Sequence, residues 1–520
     1  NLVLYNNKLF GGWFMSISAS YILVAAGILM AKGIGFFREI LFASVFGATE
    51  YTDIYFQIFS LASLLFTGIG SALSTLVIKN LNKRECAVKE KEYVSYFICK
   101  TALCIILVLI LLYTFSLPIV KVLLPGLRAD LYSDAVKILH IMLPSCLFVS
   151  VAYIMCGVLQ NNKVFFITSI MSLPYNIAII FSLFSKNIDI IKLSYVTTFG
   201  WFLHIVFLMP SFYKKGYRFI NFNKSFDFKN GRAPEIIYIF ISGMMFQLCF
   251  MMDKAAVSFD SGAASTINYA SNLFVTIASV FVVAVSNVTY PSVCKCYENG
   301  ENAFLKEIMQ YLMTLLFVII VPFILTAVCF GRDIISLLYE RGEFTSELTR
   351  ETAILFAVYT LGIFGYICQE LFNKVLYLAS EYKYTFIGSL AVIILKPILN
   401  KIVVTYFGIN ASIGVAAATT CLFVFYAINI AFAIKREIGS FVDKNLTIKL
   451  AKVLLSGIAA FVLFLVLKAV HFEIPGSRLT FLVELILCAA VYAGTITLTG
   501  VTGFILKKQP LDRKADGGIK

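Results

Sequence analysis

The residues of this chain with the most chemistry to offer are charges set inside long apolar stretches. Lys32, Arg38 and Glu39 lie in one such stretch and Asp53 opens the next. Asp253 and Lys254 are adjacent in a third, and Lys396 and Lys401 share a fourth. In hydrocarbon each such group costs about 2.5–3.5 kcal/mol on insertion scales, so it faces a cavity or a partner rather than lipid. Basic groups dominate the set. They suit an anionic ligand such as a phosphate or diphosphate, which Arg grips through two N–H groups and Lys as a point charge. A cation exporter would carry unpaired acids instead. Each charge also has a plainer use. Lys32 can snorkel, Arg38 and Glu39 can pair with Asp53, and Lys396-Pro397 can mark a kinked span. On a helix, Asp253 and Lys254 point about 100° apart, so they cannot both face one partner squarely.

Catalytic chemistry has little to build on. His140, His204 and His471 are scattered, and no Asp-rich loop, Walker A sequence, HExxH or G-x-S-x-G occurs. A membrane-embedded glycan transferase needs such a cluster, so the chain reads as a transporter and not an enzyme. Cys294 and Cys296 form the only close cysteine pair, with no second pair or histidine nearby to complete a metal centre.

These charges must be positioned by membrane-spanning helices. Of 520 residues, 60% are hydrophobic and 14% charged, against about 25% charged in a soluble domain. Too few charges remain to wet a globule of this size. A span takes about 20 apolar residues, and blocks of that length predict an all-α integral membrane protein of about fourteen transmembrane helices. The predicted spans are 15–45, 52–78, 94–118, 134–159, 163–185, 191–212, 235–260, 263–291, 305–330, 351–376, 384–406, 410–434, 449–470 and 480–506. The net charge of +14 is the mark of cytoplasmic loops and not of nucleic-acid binding. The loops 79–93 and 213–232 and the tail after Leu506 are rich in Lys and Arg. The turns between spans 1 and 2 and between 11 and 12 carry neither, so both termini are predicted to be cytoplasmic. The segment Arg332–Arg350 is predicted to hold a short interfacial helix and then a turn at Gly342.

A weak repeat organises the chain. Arg38–Ala48 matches Asp253–Ala263 at a shift of 215 residues, each with a charged pair, an apolar run and Gly-Ala. At the same shift Asp53 falls on Asn268. Six spans separate the copies, so the halves share one orientation, and transporters place substrate between such repeats. The expected domains are a six-helix lobe at 1–232 that includes a basic linker, a second six-helix lobe at 233–440, helices 13 and 14 at 441–506, and a tail at 507–520.

The motifs resemble a known family. Gly35-Phe36-Phe37-Arg38-Glu39, Phe46-Gly47-Ala48 and Thr52-Asp53 resemble the opening signature of the MurJ/MviN lipid II flippases, of the MOP superfamily. Asp253-Lys254 with Gly262 and Asn268-Tyr269-Ala270 resembles that family's seventh and eighth helices. Tyr290-Pro291-Ser292 and Glu340-Arg341-Gly342-Glu343-Phe344 are similar to its later motifs. The resemblance implies two pseudo-symmetric six-helix lobes plus two C-terminal helices in a bacterial inner membrane, acting as a monomer. It implies alternating-access transport of an undecaprenyl-diphosphate-linked peptidoglycan precursor for cell-wall synthesis. The substrate-binding residues would be Lys32, Arg38, Glu39, Asp53, Lys254 and Asn272. No cofactor is implied, and coupling would be to sodium or to the membrane potential. The family's sodium site would fall on Asp253, Asn400 and Thr420, with Val404 where a second acid is expected. The chain departs from the family at Phe66 and Ser71, where basic residues and a Glu are usual, and at Lys32 and Asn272, where Arg is usual. Taken without the resemblance, the residues also leave open a flippase for an O-antigen or exopolysaccharide unit, and a cation-coupled multidrug exporter.

Overall fold

A backbone in hydrocarbon must satisfy its own polar groups, and a helix does so within one segment. All regular structure among the described residues is accordingly helical. The computed structural model describes residues 19–64, 87–219, 233–298, 300–408, 411–470 and 477–506. Among these, ten helices are long and apolar enough to cross a membrane, or up to eleven when one bent pair is taken as a single span. Part of the second predicted span, with Phe66 and Ser71, lies outside the described residues.

The first helices are α1 (Ala19–Phe46), α2 (50–64), α3 (Ala87–Thr114) and α4 (Ser116–Leu123). The predicted fourth span is broken into α5 (Tyr132–Met142) and α6 (Ser145–Asn161), with Pro144 at the N-cap of α6. The fifth is broken into α7 (Phe165–Ser169) and α8 (Leu173–Leu183), where Pro174 stands in the first turn of α8. Proline lacks an N–H and fixes φ, so it opens a helix but cannot continue one. Then follow α9 (Ile190–Lys214), α10 (Ala233–Ala256) and α11 (Ala263–Glu298). Helix α12 (Asn302–Tyr339) runs on through the segment expected to form a separate interfacial helix. The turn at Gly342 follows as predicted, with φ +59°. The predicted tenth span is bent by 44° between α13 (Ser346–Leu361) and α14 (Ile363–Leu378). Helices α15 (Tyr382–Phe407), α16 (Ala411–Ile438), α17 (Lys444–Ala469), α18 (Ser477–Leu498) and α19 (Val501–Leu506) complete the order.

The chain packs as two compact units. The first comprises residues 1–41, 65–115 and 140–229, and the second 42–64, 116–139 and 230–520. Chain order and packing therefore part company, because the residues following Leu41 join the second unit. In the first unit α3, α6 and α9 share a core of Val94, Phe97, Ile154, Val158, Leu208 and Phe212. At one end of that core, beyond the spans, Tyr217 donates to Glu90 and accepts from Asn162 Nδ2 at 2.9 Å. Burial, and then the bond to Glu90, raise this phenol to about 12, so it remains a donor at neutral pH.

In the second unit α10 packs on α15, α15 on α16, and α14 on α16, while α12 lies against α17. Apolar side chains cover outward faces as well as cores: Leu103, Leu107 and Leu111 on α3, and Leu455, Ile458 and Val462 on α17, are exposed. Such continuous apolar faces suit lipid as solvent.

Candidate functional site

Candidate residues fall in both units. In the first, Arg38 pairs with its neighbour Glu39, and its guanidinium lies over the Tyr175 ring at 5.1 Å. Tyr175 in turn stands 4.6 Å from Trp201, and Trp201 4.9 Å from His204. Gly35 brings α1 against Asn176, so that a Cβ there would sit 3.5 Å from the Asn176 amide. Lys32 lies on the same helix, half-buried. Arg38 and Glu39 pair with each other, and Asp53 is engaged elsewhere.

The second unit holds two polar assemblies. One is a clasp at the N-terminus of α11. Asp53 was expected to line a substrate site, but its carboxylate is committed to that helix. Oδ2 accepts from Gly262 N at 2.7 Å, and Oδ1 accepts from Ser265 N and Ser265 Oγ, each at 2.6 Å. The first N–H groups of a helix have no partner within it, and the helix dipole favours negative charge there. A carboxylate brought from another segment meets both needs. Thr52 Oγ1 adds a bond of 2.7 Å to Ser265 Oγ, and Tyr269 donates to Gly47 O at 2.5 Å.

Glycines let the turns of the clasp close. Gly47 and Gly262 both have positive φ, +59° and +82°. A Cβ on Gly47 would lie 2.6 Å from Glu343 O, and one on Gly262 would lie 2.7 Å from Ala48 O. These two positions are 215 residues apart, the shift found in the sequence. Gly342 completes the set: a Cβ there would collide with Ser44 O, and Glu343 N donates to that same oxygen at 2.9 Å. Gly342→Ala is expected to lower stability by about 1–3 kcal/mol through the left-handed backbone alone, with the collision added. A thermal unfolding midpoint equal to that of the wild type would contradict this.

The other assembly is an ion cage between α10, α15 and α16. Asp253 and Lys396 form an ion pair whose side chains are both 0% exposed. Lys396 Nζ also donates to Asn400 Oδ1 at 2.6 Å and to Val415 O at 2.9 Å. Asp253 Oδ2 accepts from Thr419 Oγ1 at 2.6 Å and from the Tyr359 hydroxyl at 3.0 Å. Asn400 Nδ2 is held by Met252 O at 3.1 Å. The adjacent Lys254 turns away, as helix geometry requires, to Ser60 and to Asn268 Oδ1, the latter at 3.1 Å. Asn272 follows one helical turn after Asn268 and is half-buried.

Comparison with known proteins decides the family. The sequence pattern of the family described as lipid II flippase MurJ matches residues 42–490. This chain belongs to the MurJ family. A MurJ protein described as a probable lipid II flippase from Buchnera aphidicola of Schizaphis graminum is 26% identical over 423 residues, covering 78% of this chain and 81% of that protein. The lipid II flippase MurJ of Burkholderia cenocepacia is 21% identical over 430 residues, covering 79% and 83%. A solved structure, lipid II flippase MurJ in an inward closed conformation, matches with a TM-score of 0.77 at 24% identity, covering 93% of this chain and all 100% of that one. An inward-facing MATE transporter of the MOP superfamily matches at 0.59 with 12% identity. The MurJ family comprises transporters rather than enzymes, and this chain is a multi-pass protein of the bacterial inner membrane.

The three residues expected to form a sodium site, Asp253, Asn400 and Thr420, do not converge on one point. Thr420 donates to Val358 O at 2.8 Å, and it is Thr419 that reaches Asp253. Helix geometry turns adjacent residues about 100° apart, so only one of the two can face the cage. An oxygen of Asp253 and that of Asn400 are taken by Lys396, whose charge within an apolar stretch calls for a partner and whose neighbour Pro397 marks a kink. Its spacing was the available signal, since Lys396 and Asn400 are i, i+4 on one helical face. Tyr359, Ser265 and Ser60 carried no comparable signal, being ordinary residues whose roles depend on distant partners.

Proposed function

We propose that this chain flips lipid II, the undecaprenyl-diphosphate-linked peptidoglycan precursor, across the inner membrane by alternating access, as a monomer with both termini in the cytoplasm. The match to the lipid II flippase family over residues 42–490 carries this reading. The chemistry of the basic groups supports it. A diphosphate needs charge-assisted donors, and Arg38 and Lys32 on α1 are of that kind, with Glu39 orienting Arg38. A carboxylate is a poor ligand for an anion, so Asp53 acts on the gate formed by the clasp and not on the substrate. Alternating access needs an element that can hold and release. A clasp of hydrogen bonds and tight turns meets that need, because it can part without pulling apart an apolar core.

Asn272, where the family usually has Arg, favours a second reading: a flippase for another lipid-linked oligosaccharide. One experiment separates the two. In cells depleted of their own flippase, the chain is expected to restore growth and outward exposure of lipid II in spheroplasts. Normal expression without lipid II exposure would reject the first reading in favour of the second. In the same assay Arg38→Ala is expected to cut transport by roughly tenfold or more, the loss of one charge-assisted contact, with expression unchanged. Wild-type transport by that variant would remove Arg38 from the site.

A further inference from the structure

We infer that this chain carries its own cation in the second unit: the Lys396 ammonium occupies the position a bound alkali-metal ion would take, which makes the protein indifferent to sodium. The inference concerns the cage alone and stands apart from the choice of substrate. The oxygens around Lys396 Nζ are a carboxylate oxygen of Asp253, the amide oxygen of Asn400 and the carbonyl oxygen of Val415. An all-oxygen set of this kind is what hard cations select. An ammonium has three N–H donors and no acceptor, and the cage presents three acceptors, one for each. The two sides are matched in number and charge.

A sodium ion has no place beside it. Of the groups bonded to Asp253, Tyr359 and Thr419 are neutral hydroxyls and Asn400 is a neutral amide. Among these contacts the only formal charges are one carboxylate and one ammonium, so the cage is neutral as built. A second cation would leave a net positive charge where both side chains are fully buried, which is strongly unfavourable. Val404, one turn beyond Asn400, brings no second carboxylate to offset it. The lysine is tied to α15 by its own side chain and cannot dissociate, so loading and unloading of an ion at this site cannot drive the transport cycle.

The test uses the purified full chain in detergent, with sodium chloride against choline chloride at equal ionic strength. Wild type is expected to unfold at the same temperature in both salts and to retain no radiolabelled sodium. Lys396→Ala vacates the cage and leaves Asp253 without its counter-ion. That variant is expected to bind about one sodium ion per chain and to unfold about 2 °C or more higher in sodium than in choline. Sodium binding by wild type that is lost in Asp253→Asn would overturn the inference. So would a folded Lys396→Ala that ignores sodium. If Lys396→Ala does not fold, the pair Asp253→Asn with Lys396→Met decides. A double variant more stable than either single one supports a pairing of charges, and equal loss in all three overturns it.

Discussion

Asp253→Ala is expected to remove about 3–5 kcal/mol of stability, the characteristic loss when one partner of a buried ion pair is deleted. The substitution strands the Lys396 ammonium in full burial with only Asn400 Oδ1 and Val415 O as acceptors. It also takes the acceptor from the Tyr359 and Thr419 hydroxyls. Four groups on α13, α15 and α16 thus lose the carboxylate on which they converge. Asp253→Asn keeps the shape and one acceptor oxygen but discards the charge, so it should fall between Ala and wild type. Thermal unfolding of the purified protein reads the effect directly. An Asp253→Ala midpoint within a degree or so of wild type would mean the ion pair is not what holds these helices together.

The second large effect is expected at Asp53, and it should appear in transport. Asp53→Ala leaves Gly262 N, Ser265 N and Ser265 Oγ without the carboxylate they share. Each buried donor left unmet costs about 1–3 kcal/mol, all of it in the conformation where the clasp is closed. The open state is not penalised, so the balance between states shifts. Outward exposure of lipid II in depleted cells should fall by roughly tenfold or more, since 1.4 kcal/mol already corresponds to a factor of ten. Asn at this position supplies one acceptor oxygen but turns an N–H₂ toward the other donors, and should rescue only in part. A variant that unfolds outright, with no protein in the membrane, would point to a purely structural clasp. Undiminished exposure would mean the clasp does not gate transport.

The membrane class was legible because it rests on composition, and composition is a sum over the chain. The turns at Gly47, Gly262 and Gly342 were legible for a similar reason: a left-handed backbone selects glycine locally, and the repeat marks two of them. The direction of Lys254 away from Asp253 followed from helix geometry alone. What was not legible depends on partners far apart in sequence. Nothing near Asp53 announces that its acceptors will meet the start of α11, 212 residues on. Nothing near Asp253 announces Lys396 or Tyr359, and a lysine beside a proline reads most simply as a kink. Thr419 and Thr420 are identical in type, so only the phase of α16 decides which reaches the cage. The breaks in the predicted fourth and fifth spans have a local signal in Pro144 and Pro174, set within otherwise unbroken apolar runs.

The long reach between Asp53 and Ser265 also sets a schedule for biogenesis. Bacterial synthesis proceeds at about 5–20 residues per second, so Ser265 emerges about 10–40 s after Asp53. Throughout that interval α2 must reside in the membrane with its carboxylate unmatched. The position of Asp53 in the first turn of the helix, after the Thr49–Thr52 cap, keeps that carboxylate near the end of the segment where water can reach it until α11 arrives. The clasp therefore waits until about half of the 520 residues have been made, and a chain truncated before Gly262 would be inserted but never closed.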